Sequence, residues 1–358
     1  MRNPNPAEGN LLDNENIMMI NLAKIKEILN TQSPDLTEDL ARQSSGITRQ
    51  YFGRTITLYT PLYLSNYCSS YCTYCGFNNH NRIDRMKLTT RQIHLEMRQV
   101  AQTGIENILL LTGESSKATP LSYLKEAVGI AKHYFTGISL EIHPLETEDY
   151  RELYRHGVDG VTVYQETYDQ TRYKEIHLSG KKSDYAYRLK TPERVAASGI
   201  RQISMGILLG LTDVAEDLWA LYHHLGRMER LYPGVEYSLS FPRLRKIKGH
   251  DFAICNVDDI TFIKIICLTR ILFPRVGINL STRETPRVRD HALGLGVTRL
   301  SAGSNTSVGG YATLPLQGQE PQFDIEDTRT VEEMIQLLKT KQFDPVLTDW
   351  RPIKNEIV

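Results

Sequence analysis

Tyr63-Leu64-Ser65-Asn66-Tyr67-Cys68-Ser69-Ser70-Tyr71-Cys72-Thr73-Tyr74-Cys75-Gly76-Phe77 ends an apolar run over 56–63 and carries three of the chain's five cysteines in a C-x3-C-x2-C spacing. Three thiolates this close can converge on one centre. Soft sulfur ligands select zinc, copper(I) or an iron–sulfur cluster. A structural zinc site wants four ligands, and His80 is available as a fourth, since Cys255 and Cys267 lie far downstream. A [4Fe–4S] cluster normally takes four cysteines. Three leave one iron open, where a small molecule can bind and react. Reactivity rather than packing governs clustered cysteines, so a metal centre is expected here over scattered core thiols.

The same run opens a regular alternation. Apolar segments of strand length recur over 56–63, 107–111, 137–142, 160–164, 202–209, 236–240, 277–280 and 298–301. Amphipathic segments over 89–103, 120–133, 183–197, 213–230 and 258–272 read as the helices between them. Strands alternating with helices imply βαβ units and a parallel sheet. Eight strands allow a closed (β/α)8 barrel, and a doubly wound open sheet is the alternative. Polar clusters track the strand ends: the cysteines after the first, Thr112-Gly113-Glu114 after the second, Glu141 and His143 at the third, Gln165-Glu166 after the fourth, Arg243 after the sixth, Arg283 after the seventh and Ser304 after the eighth. Parallel barrels place their active sites at the carboxyl ends of their strands.

Bulk properties narrow the function class. The chain has 358 residues, 41% of them hydrophobic, and a formal net charge of zero. A neutral chain argues against general nucleic-acid or membrane-surface binding. No apolar run reaches 18 residues, so no spanning helix is expected. The polar start over 1–16 lacks the basic and apolar regions of a signal peptide. An odd cysteine count with a tight triplet suits a reducing, cytoplasmic setting. We expect a tail and helical extension over 1–46, a barrel over 47–310, and a loop/helix cap over 311–358. Thr330 and Glu333 are placed as a capping box for a last helix.

The cysteine motif, with Tyr74 before its last ligand, resembles the radical SAM superfamily. Longer blocks sharpen the match: YLSNYCSSYCTYCGF from Tyr63, GVTVYQETYD from Gly160, YRLKTPER from Tyr187, SFPRLR from Ser240, LSTRE from Leu280 and LSAGS from Leu300. Together, from about Ile47 to the C-terminus, they resemble the tyrosine lyases (2-iminoacetate synthases) of thiamine thiazole biosynthesis. The resemblance favours the TIM-type radical SAM barrel. It implies one [4Fe–4S] cluster per chain on Cys68, Cys72 and Cys75, with S-adenosyl-L-methionine (SAM) chelated at the open iron and cleaved reductively to a 5′-deoxyadenosyl radical. It further implies L-tyrosine as substrate, split at Cα–Cβ into 2-iminoacetate and p-cresol.

Other sites follow from both sources. Tyr74 occupies the family's adenine-contacting position, or shields the cluster. Thr112, Gly113 and Glu114 resemble the segment that holds the methionyl ammonium. Glu141 matches a ribose-hydroxyl ligand, and an acid in an apolar strand needs a partner. Arg155 is a possible partner of the SAM carboxylate, against a solvated helix charge. Gln165 and Glu166 are assigned to the cavity that orients SAM and substrate. Arg283 presents a planar fork suited to a carboxylate; the alternative is an ion pair with neighbouring Glu284. Ser304 would line the same pocket. His143 either tunes the pocket or is a satisfied strand-end histidine. Cys267 reads as core.

The resemblance also implies partners: the thiazole synthase (ThiG), and a flavodoxin- or ferredoxin-type electron donor, for which Arg245, Lys246 and Lys248 offer a basic patch. Lys246 stands where proline is expected in relatives, which bears on the shape of that loop. Three rivals remain. One is a HydG-like enzyme, which carries an additional cysteine-rich domain; no cysteine follows Cys267 here. Another is a lyase acting on tryptophan or another amino acid. The third is a non-catalytic zinc or cluster protein.

Overall fold

The computed structural model describes residues 20–244, 254–312 and 321–348. Eight parallel strands run β1 (Thr55–Ser65), β2 (Asn107–Thr112), β3 (Gly137–Glu141), β4 (Gly160–Glu166), β5 (Gln202–Ile207), β6 (Glu236–Ser240), β7 (Gly277–Leu280) and β8 (Arg299–Ser301). Each pairs with the next, and β8 returns to β1 through Thr57–Arg299, Leu58–Leu300 and Tyr59–Ser301. The sheet is therefore closed, which decides for the barrel over the open sheet. A short strand, Asp344–Val346, adds to the start of β1.

Strands covered on both faces bury nearly every residue; all six residues of β5 are buried. The helices follow the expected segments, Leu121–Ala131, Val214–Leu231 and Asp259–Leu272 among them. Asp213 and Asp258 N-cap the last two through their carboxylates. Thr330 caps Val331–Thr340: its hydroxyl accepts from Glu333 N, and the Glu333 carboxylate accepts from Thr330 N at 2.8 Å. Two helices, Leu22–Asn30 and Pro34–Phe52, lie outside the barrel and pack on the helices after β5 and β6. Ile25, Ile28 and Leu29 are buried there, each contributing about 1.5–3 kcal/mol of apolar burial.

One segment departs from expectation. The helix over 183–197 is broken into Tyr185–Leu189 and Thr191–Ser198. Pro192 has no N–H to donate to Arg188 O, so the first helix stops and a second begins. Before them the chain forms a helix, Gln170–Ile176, and a strand, His177–Ser179, that pairs antiparallel with Tyr71–Cys72. This excursion between β4 and β5 lies over the barrel mouth. No helix among the described residues is long and apolar enough to cross a membrane.

Candidate active site

The carboxyl ends of the strands enclose a cavity of about 170 Å3. Cys68, Cys72 and Cys75 form one wall, on the loop that leaves β1. The loop is braced from two sides. Its Thr73 N donates to Ile176 O at 3.0 Å, and Ser69 N donates to Glu114 O at 2.9 Å. Gly113 permits the second contact, because a Cβ there would lie 2.4 Å from Tyr67 O. Among the described residues no three His, Cys, Asp or Glu side chains converge on a single-ion site. His80 instead stacks on Tyr71 with ring centroids 3.9 Å apart. Burial pushes the Cys68 thiol up to about 11 and holds Cys72 well above its ordinary value, in spite of the Lys182 charge that favours the Cys72 thiolate.

Beside the thiols lie two acids and two bases. Arg188 donates to Glu114 at 2.7 Å and to Tyr164 O at 2.6 Å. Lys182 reaches Glu166 at 2.7 Å and Glu114 at 3.8 Å. Burial alone would raise the Glu114 pKa, but Arg188 and Lys182 outweigh it and hold the carboxyl below its ordinary range. Glu166 sits at φ 71°, past a register shift at the end of β4. A non-glycine residue there is strained, typically by about 1–3 kcal/mol. Glu141 is pushed up to about 7, first by burial and then by the charge of Glu166.

Tyr74 presents its ring to the cavity, while its hydroxyl is 2.8 Å from His177 Nε2. His177 Nδ1 lies 2.9 Å from Tyr173 O, so Nδ1 is the donor and Nε2 accepts from the phenol. Across the cavity the Arg283 guanidinium lies 3.7 Å from the centre of the Phe323 ring. Thr112 Oγ1, Glu114 Oε2 and Ser304 Oγ line this space buried and without hydrogen-bond partners. Buried polar atoms in native proteins are almost always paired. These three, grouped around one cavity, fit a polar ligand that supplies the missing bonds.

Comparison with known proteins places this geometry. The chain is 39% identical over 324 residues to the 2-iminoacetate synthase of Salmonella typhimurium, covering 90% of this chain and 85% of that one. The Escherichia coli 2-iminoacetate synthase is 38% identical with the same coverage. The chain belongs to the 2-iminoacetate synthase family. The radical SAM superfamily matches residues 62–225, and the biotin and thiamin synthesis associated domain matches 240–344. The FeFe-hydrogenase maturase HydG from Carboxydothermus hydrogenoformans superposes with a TM-score of 0.84 at 30% identity, covering 92% of this chain and 77% of that one.

Within this 2-iminoacetate synthase family barrel, most of the residues singled out in the sequence meet at one place. Cys68, Cys72, Cys75, Tyr74, Thr112, Gly113, Glu114, Glu141, Glu166, Arg283 and Ser304 all line the cavity. Two do not. Gln165 is buried but does not line the cavity, although Tyr164 and Glu166 on either side of it do; its buried Nε2 has no partner. Arg155 is exposed in the last turn of Thr147–His156. Helices of the barrel run opposite to the strands, so that turn lies at the other end from the cavity. Glu284 pairs with Arg243, Oε2 accepting from Nε at 2.9 Å, and Arg283 lines the cavity, its Nη1 3.4 Å from Arg243 O. His143 is buried, with Nδ1 unpartnered, and does not line the cavity. Cys267 packs in the core, as expected. Arg245, Lys246 and Lys248 lie outside the described residues.

Sequence reading missed Lys182, Arg188, Tyr63, Gln322 and Phe323. Arg188 stands in the YRLKTPER block, which signalled the family without signalling the residue. Gln322 and Phe323 come from a segment with no local pattern.

Proposed function

We propose that this chain is a radical SAM lyase of the 2-iminoacetate synthase type. It cleaves the Cα–Cβ bond of L-tyrosine to 2-iminoacetate (dehydroglycine) and p-cresol, with release of 5′-deoxyadenosine and methionine, for thiamine thiazole synthesis. One observation carries this reading: three thiols, an acid–base cluster and an arginine fork face one cavity at the carboxyl mouth of a closed barrel. Cys68, Cys72 and Cys75 would hold one [4Fe–4S] cluster, with S-adenosyl-L-methionine beside it. When bound, that pair supplies one-electron cleavage of the sulfonium and a radical that takes a hydrogen atom from the substrate amine.

This chain's own residues then bind and orient. Glu114, ionised and with Oε2 open, suits the methionyl ammonium. The cations Arg188 and Lys182 suit the methionyl carboxylate and take the place first given to Arg155. Tyr74 offers only its ring to the adenine, because its hydroxyl is committed to His177. Glu141, poised near pH 7, can donate to or accept from ribose hydroxyls. Arg283 keeps its charge, as arginine does in proteins. Stacked on Phe323, it presents its fork to the tyrosine carboxylate. Ser304 offers a hydroxyl beside it. Phe77, Leu111, Ile142 and Leu208 make apolar wall that excludes water. An imine product hydrolyses to glyoxylate in water, which favours transfer to the thiazole synthase (ThiG). The reductant in this reading is a flavodoxin- or ferredoxin-type protein.

Iron and sulfide analysis of anaerobically reconstituted protein tests the site. About four of each per chain are expected, and Cys72→Ala abolishes SAM cleavage. Stoichiometric zinc, or deoxyadenosine formed by Cys72→Ala, would overturn the assignment.

A further inference from the structure

Gln322 reaches the cysteine loop from the far end of the chain. Its Oε1 accepts from the Tyr63 hydroxyl at 2.6 Å, and its Nε2 donates to Cys75 Sγ at 3.9 Å. The two bonds fix the amide's sense. A thiolate can only accept, so the N–H side must face the sulfur, and the carbonyl side is then left for the phenol. Tyr63 is itself held edge-on against Phe77, with centroids 5.8 Å apart. The backbone is equally constrained. Gln322 N donates to Thr306 O at 3.2 Å. A Cβ on Gly76 would lie 2.8 Å from Gln322 O and 3.0 Å from Pro321 O, so a glycine next to Cys75 lets this segment approach the loop.

Amide N–H groups directed at cluster sulfurs raise the reduction potential, because they stabilise the extra negative charge of the reduced state. We propose that Gln322, oriented by Tyr63, is a positioning residue that raises the potential of the cluster through Cys75. The proposal rests on Cys68, Cys72 and Cys75 being the cluster ligands. It adds a consequence for the cavity. Tyr63 and Gln322 both line it, so residues that face the cavity also set how readily the cluster takes its electron.

The test is an EPR-monitored redox titration of the reconstituted full-length protein, without SAM or tyrosine. Gln322→Met keeps the side-chain length and removes the N–H. Gln322→Glu keeps an acceptor for Tyr63 and puts an anion beside the sulfur. Tyr63→Phe leaves the amide but releases its orientation. Gln322→Met should lower the reduced-to-oxidised ratio at a fixed potential about tenfold, or about 59 mV for one electron. Gln322→Glu should lower it further, and Tyr63→Phe should move it the same way by less. Unchanged midpoints in Gln322→Met and Gln322→Glu, at wild-type iron content, would overturn the proposal while leaving the cluster assignment intact. A wild-type protein that assembles no cluster would overturn both. If Gln322→Met fails to fold, Gln322→Glu and Tyr63→Phe decide.

Discussion

Replacing Arg188 by methionine would remove one of the two cations that Glu114 and Glu166 share, while keeping most of the side chain's bulk. Arg188 and Glu114 have side chains only 7% and 12% exposed, so solvent screens the pair weakly. Breaking a buried pair by removing one partner typically costs about 3–5 kcal/mol. Lys182 remains 2.7 Å from Glu166 and 3.8 Å from Glu114, so the charge is partly offset and the low end, about 3 kcal/mol, applies. The bond from Arg188 Nε to Tyr164 O is lost as well. At ~2 °C per kcal/mol in a large chain, the melting temperature should fall by roughly 6 °C. The assay is thermal unfolding at pH 7, followed by circular dichroism under anaerobic conditions. Removing both charges, in Arg188→Met with Glu114→Gln, leaves the Lys182–Glu166 pair balanced and should recover at least half of the loss. A single variant that melts with the wild type, or a double variant less stable than the single, would refute the buried-network argument.

Two further outcomes follow from the geometry. Arg283→Ala should leave iron content unchanged and reduce kcat/KM for tyrosine; losing charge-assisted hydrogen bonds of about 1.5–3 kcal/mol corresponds to roughly 10–150-fold, and unchanged tyrosine kinetics would end the carboxylate-fork assignment. His224 gives a pH signature: burial lowers its pKa to about 4, and its Nδ1 is hydrogen-bonded to the Tyr168 hydroxyl at 2.8 Å. Below about pH 6.5 the unfolded chain takes up a proton that the folded chain refuses, so stability falls from there down to about pH 4. Between pH 7 and 5 the wild type should lose about 1–2 kcal/mol more than His224→Phe in urea unfolding; parallel pH profiles would contradict this.

The barrel was legible because its signals are local. Each strand is a short apolar run, seven of the eight with a polar residue at or just after the carboxyl end, and eight such runs in one chain leave few architectures. The cysteine triplet was legible for the same reason: three thiols that line the cavity lie within eight consecutive positions, Cys68 to Cys75. Gln165 does not line the cavity while its neighbours Tyr164 and Glu166 do; the register shift between them, which sets those directions, has no local signal in the sequence. Arg155 was misplaced along the helix axis: a helix that follows a strand carries its last turn away from the mouth. Arg188 was hidden because the segment over 183–197 read as one amphipathic helix, and Lys182 because it stands in the turn just before it, where nothing local marks a cation that faces the cavity. Gln322 lies 247 residues from the thiol it meets. Only the closed fold brings the two together.

The most direct test of the central claim is an anaerobic assay of the reconstituted protein with SAM, a reductant and L-tyrosine, read by mass spectrometry. The account predicts p-cresol, 5′-deoxyadenosine and the glyoxylate left by hydrolysis of 2-iminoacetate. Deoxyadenosine without p-cresol, from protein with a verified cluster, would contradict tyrosine as the substrate; neither product would contradict the catalytic reading itself.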